Sequence, residues 1–189
     1  MTDKPLQVRF GGLGGQGLVT LGAVLAAAGA KDGLNVSASQ SYGSRARGGA
    51  TRSDVILGRE AVDFPHVIHP DILVVLAEEA YGLYGPDVKA GAVVLFDSFF
   101  VHQADMAGVR QAGLSATELA MNELNSKMAA NFIMFGAFVG YTDAVSLKAV
   151  EAAVAEVVRE RFQQVNLSAF NIGLKLGRER LPEELGPWR

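Results

Sequence analysis

The chain has 189 residues, of which 49% are apolar, and its formal net charge at pH 7 is −3. A chain of this size and composition buries a substantial core in one compact domain, which excludes the disordered and fibrous classes. The small net negative charge excludes a general electrostatic attraction to nucleic acids or anionic membranes. Because the chain has no cysteine, it has no disulfide, thiolate zinc site or thiolate-bound iron–sulfur cluster of its own.

Targeting and membrane-spanning segments are not evident in the sequence. No stretch approaches the ~18 consecutive apolar residues of a membrane span. The N-terminal MTDKPLQ lacks the charged and then apolar arrangement of a signal peptide. We therefore expect a soluble cytoplasmic protein that has neither a membrane nor a nucleic acid as its partner.

The sequence LQVRFGGLGGQG, residues 6–17, is the most informative stretch of the chain. Apolar side chains alternate with polar ones, Arg9 among them, which predicts a β-strand. The glycines that follow include Gly12, Gly14 and Gly17, which match the G-x-G-x-x-G spacing of a phosphate-binding turn. A helix is predicted directly after them, and its free N–H groups and positive dipole end favour an anion, usually a phosphate.

A second strand and a second loop follow the first helix, which is predicted to end near Gly33. Asn35–Gln40 is a candidate strand, and the strand–helix–strand unit normally makes a parallel, right-handed crossover. The next segment, SYGSRARGG at Ser41–Gly49, is then a loop at the carboxyl end of that strand. Ligands of open α/β sheets collect at this edge, so we expect the two loops to be neighbours.

The third predicted strand is Ala50–Leu57, with Arg52 and Asp54 on its more polar face. A turn at Gly58 leads into Ala61–Phe64. These two segments predict a β-hairpin beside the main sheet.

The rest of the chain alternates buried strands with helices. Two almost wholly apolar segments, Asp71–Ala77 and Ala92–Phe96, predict central strands. Helices are predicted at Glu78–Leu83, Ser115–Leu124 with a Ser115/Glu118 capping box, Ala129–Tyr141, Ser146–Phe162 and Asn166–Leu176. The predicted fold is α/β: a Rossmann-like open, mostly parallel sheet with helices on both faces and a β-hairpin excursion, forming a single domain over residues 1–177 with a polar tail at 178–189.

The dinucleotide interpretation of the glycine turn is tested by the end of the second strand. An NAD site usually places a carboxylate there, whereas this sequence has Ser39–Tyr42 without an acid. Arg45 and Arg47 are suited to a 2′-phosphate, to another phosphate-rich ligand or to a subunit interface. A solvated loop with weak surface ion pairs is the alternative for both arginines.

The histidines give little indication of a metal site. His66 and His69 form an H-x-x-H pair close to Asp71, but Pro65 and Pro70 bracket it, so no helix turns both rings to one side. We interpret this segment as a solvated turn.

A catalytic set is also missing from the sequence. There is no cysteine, no Gly-x-Ser-x-Gly elbow and no lysine beside a nucleophile. Asp97 and Ser98 at a strand end are expected to cap the next turn, and Asn131 inside an apolar helix is expected to make a structural hydrogen bond. A binding loop without chemical machinery suggests a subunit of a larger protein.

Three motifs together resemble one family. GGLGGQG at the first turn, SYGSRARGG in the second loop, and Asn131 followed by Gly136 and Ala137 resemble the gamma subunit of 2-oxoacid:ferredoxin oxidoreductases. The resemblance runs from about Val8 to Gly177. Ser44-Arg45 departs from the Pro-Glu of many 2-oxoglutarate-type relatives, although Ser41-Tyr42-Gly43 is closer to that type than to the pyruvate type.

The resemblance implies a role in the oxidative decarboxylation of a 2-oxoacid to an acyl-CoA, with ferredoxin or flavodoxin as electron acceptor. It implies thiamine diphosphate, magnesium and iron–sulfur clusters on alpha and beta partner subunits, with a ferredoxin-like delta subunit as a further candidate. It associates the gamma subunit with coenzyme A, with no catalytic or metal-binding residue here; the isolated chain is expected to be inactive and is a candidate homodimer. Together with Gly12 and Arg45 from the residue patterns, the implied cofactor-binding residues are Gly12, Gly14, Gly15, Gln16, Gly17, Tyr42, Gly43, Arg45, Arg47, Gly48 and Gly49.

Two other classes of function remain open from the residues alone. A stand-alone NADP-binding reductase predicts that the isolated chain binds a pyridine nucleotide. A non-catalytic scaffolding module with an empty glycine turn predicts no small-ligand binding.

Overall fold

A computed structural model describes residues 4–41, 49–61 and 65–188. Six strands form the sheet: β1 (Leu6–Leu13), β2 (Asn35–Ser41), β3 (Ala50–Gly58), β4 (Ile72–Val75), β5 (Val93–Asp97) and β6 (Arg110–Leu114). The α-helices are α1 (Leu18–Lys31), α2 (Glu78–Tyr84), α3 (Ala116–Leu124), α4 (Ala130–Thr142), α5 (Leu147–Val157), α6 (Glu160–Glu179) and α7 (Leu181–Leu185). In the part of the chain described, no helix is both long enough and apolar enough to cross a membrane.

The six strands form one open sheet in the order β2-β3-β1-β4-β5-β6. β1, β4, β5 and β6 pair in parallel, whereas β3 pairs antiparallel with both β1 and β2. All strands except β3 therefore run in the same direction. The predicted α/β class with a mostly parallel open sheet is confirmed.

The position predicted for the third strand, beside the main sheet, was wrong. β3 lies inside the sheet between β1 and β2, and its predicted hairpin partner Ala61–Phe64 falls mostly on residues 62–64, which are outside the described ranges. The hairpin is instead β2–β3. The reason is burial: Val55 and Ile56, which lie on opposite faces of β3, are both buried, and a strand covered on both faces gains most when both edges are also paired.

Helices cover both faces of the sheet, as expected. On one face, Leu6, Val8 and Phe10 of β1 join the main core beneath helices that include α1, α4 and α6. On the opposite face, Tyr81 and Tyr84 of α2 join a smaller core with residues of β4 and β5.

Helices α4 and α6 pack backbone to backbone. Every residue of Ala130–Tyr141 is buried, in agreement with a segment that is apolar almost all round. A Cβ atom at Gly136 would overlap the carbonyl oxygen of Phe170, and one at Gly173 would overlap the carbonyl oxygen of Ile133. Glycines on both helices thus permit a closer approach than side chains allow.

The C-terminal helices begin and end differently from the prediction. The helix predicted over Ser146–Phe162 ends at Val157, and Val158, which is buried, has an extended backbone. α6 therefore begins at Glu160 and runs to Glu179. The segment predicted as a polar tail contains α7, whose two terminal leucines are buried in the main core. Hydrophobic contacts, rather than composition, give this segment its structure.

Candidate functional site

The glycine turn lies at the carboxyl edge of the parallel strands. β1 ends at Leu13, and α1 begins at Leu18 with Gly17 as its N-cap. The backbone N–H of Leu76, just past β4, donates to the carbonyl of Gly11 at 3.0 Å. The turn is therefore placed where ligands of open α/β sheets collect.

Gln16 fastens this turn to the sheet. Its Oε1 accepts from the backbone N–H of Leu13 at 2.6 Å, and its Nε2 donates to the carbonyl of Leu76 at 3.0 Å. Both ends of the amide are thus engaged by the chain itself. This predicted cofactor-binding residue has a structural role in shaping the turn.

The four predicted glycines of this turn differ in their surroundings. A Cβ at Gly12 would overlap Gln16 Oε1, and a Cβ at Gly17, where φ is +76°, would overlap Asn131 Nδ2. Gly14 and Gly15 are exposed: among the described residues, the nearest atom to a Cβ at Gly14 is Thr51 Oγ1 at 3.9 Å, and none lies within 4 Å of a Cβ at Gly15. Internal packing accounts for the first pair, whereas the second pair presents backbone to solvent.

Asn131 makes the structural hydrogen bond that was predicted for it. Its Nδ2 donates to the carbonyl of Gln16 at 3.0 Å, and its Oδ1 accepts from the N–H of Phe132 at 2.7 Å. This residue, at the start of α4, connects the glycine turn to the helix that fills the core. The later Asn131 motif is thereby adjacent in space to the first motif.

The C-terminal end of the second predicted loop lies beside the glycine turn. Ser41 ends β2, and Ala50, which follows Gly49, is the register partner of Leu13. Predicted site residues Tyr42, Gly43, Arg45, Arg47 and Gly48 lie outside the described ranges. The sequence predicted that the two loops are neighbours because one follows β1 and the other follows β2. In the structure β3 separates β2 from β1, and it is the start of β3 that brings the end of the second loop to the glycine turn.

Asp97 caps the neighbouring turn and the start of α3, as expected. Its Oδ1 accepts from the N–H groups of Phe99 and Thr117 at 3.2 and 3.3 Å, and its Oδ2 accepts from the Thr117 hydroxyl. Ser115 makes no side-chain cap bond, so the predicted capping box is wrong. The buried carboxylate of Asp97 replaces the hydroxyl in that role.

From the sequence we did not identify a buried ion pair on the face of the sheet that α2 covers. Arg9 and Asp54 are directly opposite in β1 and β3, and their side chains form two hydrogen bonds of 2.8 and 3.0 Å. Arg9 is 1% exposed and Asp54 4%, so the face interpreted as wetter is buried at Asp54, although Arg52 on the same face is 36% exposed. Opposite charges near the middle of two strands, each beside apolar residues, were the signal for this pair.

The ion pair has further partners at the edge of the smaller core. The Arg9 guanidinium donates to the carbonyl of Val67 at 2.7 Å and lies 5.5 Å from the ring centroid of Tyr84. Burial raises the pKa of the Tyr84 hydroxyl above its ordinary value, although the charges of Arg52 and Arg9 partly oppose this. The site is a structural connection between β1, β3 and α2.

The H-x-x-H segment is a surface turn, as interpreted from the sequence. His66 and His69 are exposed, and His69 Nδ1 lies 2.8 Å from the carbonyl oxygen of Asp87. Asp71 accepts from the N–H of Gln7 at 2.8 Å and pairs with Lys89 at 3.0 Å. Among the described residues, no group of three or more metal-ligating side chains is placed to hold an ion.

The fold and the glycine turn define a Rossmann-like α/β protein, and comparison with known proteins gives its family. Residues 7–176 match the model of the pyruvate ferredoxin/flavodoxin oxidoreductase family, and the chain belongs to this family. It is 38% identical over 176 residues to 2-oxoglutarate synthase subunit KorC of Methanocaldococcus jannaschii, covering 92% of this chain and 94% of that protein.

Solved structures agree with this assignment. The gamma subunit of a keto/oxoacid ferredoxin oxidoreductase from Geobacter sulfurreducens has a TM-score of 0.81 and 36% identity, covering 91% of this chain and 95% of that one. The 2-oxoglutarate:ferredoxin oxidoreductase of Magnetococcus marinus, solved with 2-oxoglutarate, coenzyme A and succinyl-CoA bound, has a TM-score of 0.83 over 93% of this chain and 31% of that one. At 24% identity, the second match shows the fold alone. The resemblance to gamma subunits inferred from the motifs is confirmed.

Proposed function

We propose that this chain is the gamma subunit of a hetero-oligomeric 2-oxoacid:ferredoxin oxidoreductase that acts on 2-oxoglutarate. The preference for 2-oxoglutarate is supported by relatedness. KorC subunits of 2-oxoglutarate synthases are 36–38% identical to this chain, whereas the PorC pyruvate synthase subunit of Methanothermobacter marburgensis is 28% identical.

In this proposal the redox chemistry belongs to other chains. A sequence of 189 residues without cysteine supplies no thiolate for an iron–sulfur cluster. Thiamine diphosphate, magnesium and the clusters are assigned to alpha and beta subunits, with a ferredoxin-like delta subunit as a further partner. The gamma chain contributes subunit contacts and part of the coenzyme A site.

One observation supports the coenzyme A assignment: the exposed backbone at Gly14 and Gly15. A side chain at Gly14 would meet no atom of the described residues closer than 3.9 Å, so this part of the fold leaves room for a larger residue there. The absence of a side chain fits close approach by an external group, such as the phosphate or pantetheine of coenzyme A. Coenzyme A, when bound, supplies the thiol that accepts the acyl group.

The second loop is part of the same proposed site. Its C-terminal end lies beside the glycine turn, because Ala50 is paired with Leu13. Arg45 and Arg47 would supply the guanidinium groups for a phosphate or for a carboxylate of a partner subunit. Arg47 is the stronger candidate, since it belongs to the Arg-Gly-Gly of the family motif.

The test is a Gly14→Val substitution in the assembled enzyme, with Gly82→Val as its matched control. Both glycines are exposed and neither has a neighbour that a Cβ would overlap, but Gly82 lies on α2 away from the turn. We expect Gly14→Val to raise the KM for coenzyme A about tenfold, equivalent to ~1.4 kcal/mol, and to change the KM for 2-oxoglutarate much less. An unchanged coenzyme A dependence in a folded Gly14→Val enzyme would refute the site.

Two measurements separate the subunit role from the coenzyme A role. The purified chain alone should not reduce viologen with 2-oxoglutarate, and turnover without partners would reject the subunit proposal. Calorimetric titration of coenzyme A into complexes with and without Arg47→Ala should show a loss of about ten- to a hundredfold in affinity. A change within about twofold would make Arg47 an ordinary surface residue.

A further inference from the structure

A cavity of about 510 Å³ opens beside the glycine turn, on the side of α1, α4 and the α5–α6 corner. This volume is within the range of about 300–1,000 Å³ that is usual for small-molecule sites. Gly17 and Asn131 form part of its wall, whereas Gly14 and Gly15 do not line it. The cavity therefore does not include the exposed backbone of Gly14 and Gly15, to which coenzyme A is assigned.

Most of the cavity wall is apolar. Met128 and Phe162 at its rim are 61% and 44% exposed, which is unusual for large hydrophobic side chains. Further inside, the lining includes Phe132, Val158 and Val165. A ligand with an apolar body would remove these surfaces from water at about 25 cal/mol per Å².

One cation and several neutral polar groups also line the cavity. The guanidinium of Arg159 makes no hydrogen bond or ion pair with any residue in the described ranges. The side chains of Thr20, Ser126 and Asn166 likewise have no hydrogen-bond partner among the residues that the structure describes. An apolar cavity with a few convergent, available polar groups is the usual construction of a ligand site.

We propose that this cavity binds an organic carboxylate with an apolar body, whose carboxylate is held by Arg159. A planar guanidinium binds a carboxylate through two parallel hydrogen bonds. Among the described residues that line the cavity, only Arg159 is charged, so a single negative charge is balanced and the dianion of a phosphate monoester is not. The side chains of Thr20, Ser126 and Asn166 are available to donate hydrogen bonds to the remaining lone pairs of the carboxylate oxygens.

The proposal is tested by calorimetric titration of the full chain with octanoate, octanamide and octyl phosphate. Octanoate is expected to bind with one-to-one stoichiometry and more tightly than the other two. Arg159→Gln should weaken octanoate about tenfold or more and leave octanamide within about twofold. Arg59→Gln, which removes one exposed arginine elsewhere, should change neither affinity.

A second variant keeps the test independent of the arginine. Val165→Trp fills the cavity from the α6 side, where Val165 is only partly buried, and should abolish binding of octanoate and octanamide alike. Circular dichroism confirms that each variant is folded. The proposal is overturned if octanoate does not bind the wild type, if Arg159→Gln retains the wild-type affinity, if octyl phosphate binds more tightly, or if a folded Val165→Trp chain still binds.

Discussion

The packing of α4 against α6 gives a quantitative prediction for Gly173→Ala. A Cβ at this position would overlap the carbonyl oxygen of Ile133 and lie 2.8 Å from the backbone nitrogen of Ala137. Ordinary carbon contacts begin at about 3.5 Å, and neither backbone atom is able to rotate away as a side chain does. The two helices must therefore separate along their contact.

The expected cost follows from two opposing contributions. Insertion of an extra carbon into a well-packed core costs about 1–3 kcal/mol, and more when backbone must move. Replacement of glycine by alanine inside a helix returns about 1 kcal/mol through helix propensity. We expect a net loss of about 2 kcal/mol in the free energy of unfolding, which lowers the Tm of a chain of this length by roughly 4–8 °C.

The matched control is Gly82→Ala in α2. Gly82 is exposed, and a Cβ there would meet nothing within 4 Å, so only the propensity gain of about 0.5–1 kcal/mol remains. Urea unfolding of the purified chains, followed by circular dichroism, measures both effects. If Gly173→Ala stabilises the chain as Gly82→Ala does, then α4 and α6 are not in backbone contact.

Three further predictions concern buried polar groups. Arg9→Met removes both hydrogen bonds to the buried carboxylate of Asp54 and leaves it only the more exposed Arg52, 3.6 Å away, as a cationic partner among the described residues. The free energy of unfolding should fall by about 3 kcal/mol, the lower end of the range for a broken buried pair; a loss below about 1 kcal/mol in urea unfolding would contradict the buried pair. Because the pKa of the Tyr84 hydroxyl is raised in the folded chain, this hydroxyl loses its proton more readily in the unfolded chain once the pH exceeds about 10. The free energy of unfolding should therefore fall as the pH rises through that range. Tyr84→Phe should reduce this fall, and equal slopes of stability against pH for both proteins would reject the assignment. Asn131→Leu removes the side-chain N–H that donates to the carbonyl of Gln16. It should lower the free energy of unfolding by about 1–3 kcal/mol, which is measured as a lower midpoint of urea unfolding. An unchanged midpoint would show that this hydrogen bond does not stabilise the fold.

The local pattern of the sequence was sufficient for the parts of the fold that depend on neighbours along the chain. Alternating residues before the glycines identified β1, and apolar residues at helical spacing identified α1. The glycine turn, the α/β class and the resemblance to a gamma subunit also followed from contiguous motifs. The predicted roles of Asp97 and Asn131 as structural hydrogen-bonding residues were correct because each is a polar group at the end or inside of an apolar segment.

Only the tertiary structure decided which strands are neighbours. The order that inserts β3 between β2 and β1 depends on burial of both faces of β3 by distant helices, which no local pattern records. That order pairs Arg9 with Asp54 and turns an apparently wet face into a buried one. The same holds for α7, since the burial of its leucines depends on contacts with a core made by residues far away in sequence.

The structure also distinguishes two kinds of glycine in the turn, which the sequence motif alone does not separate. Gly12 and Gly17 have no side chain because Gln16 and Asn131 occupy the adjacent space, whereas no described atom lies within 3.9 Å of a Cβ at Gly14 or within 4 Å of one at Gly15. The G-x-G-x-x-G spacing shows at which positions a side chain is absent. The physical reason at each position depends on which atoms lie where its Cβ would be. Gln16 belongs to the turn itself, whereas Asn131 belongs to α4, so the position of Asn131 beside Gly17 is set by long-range packing.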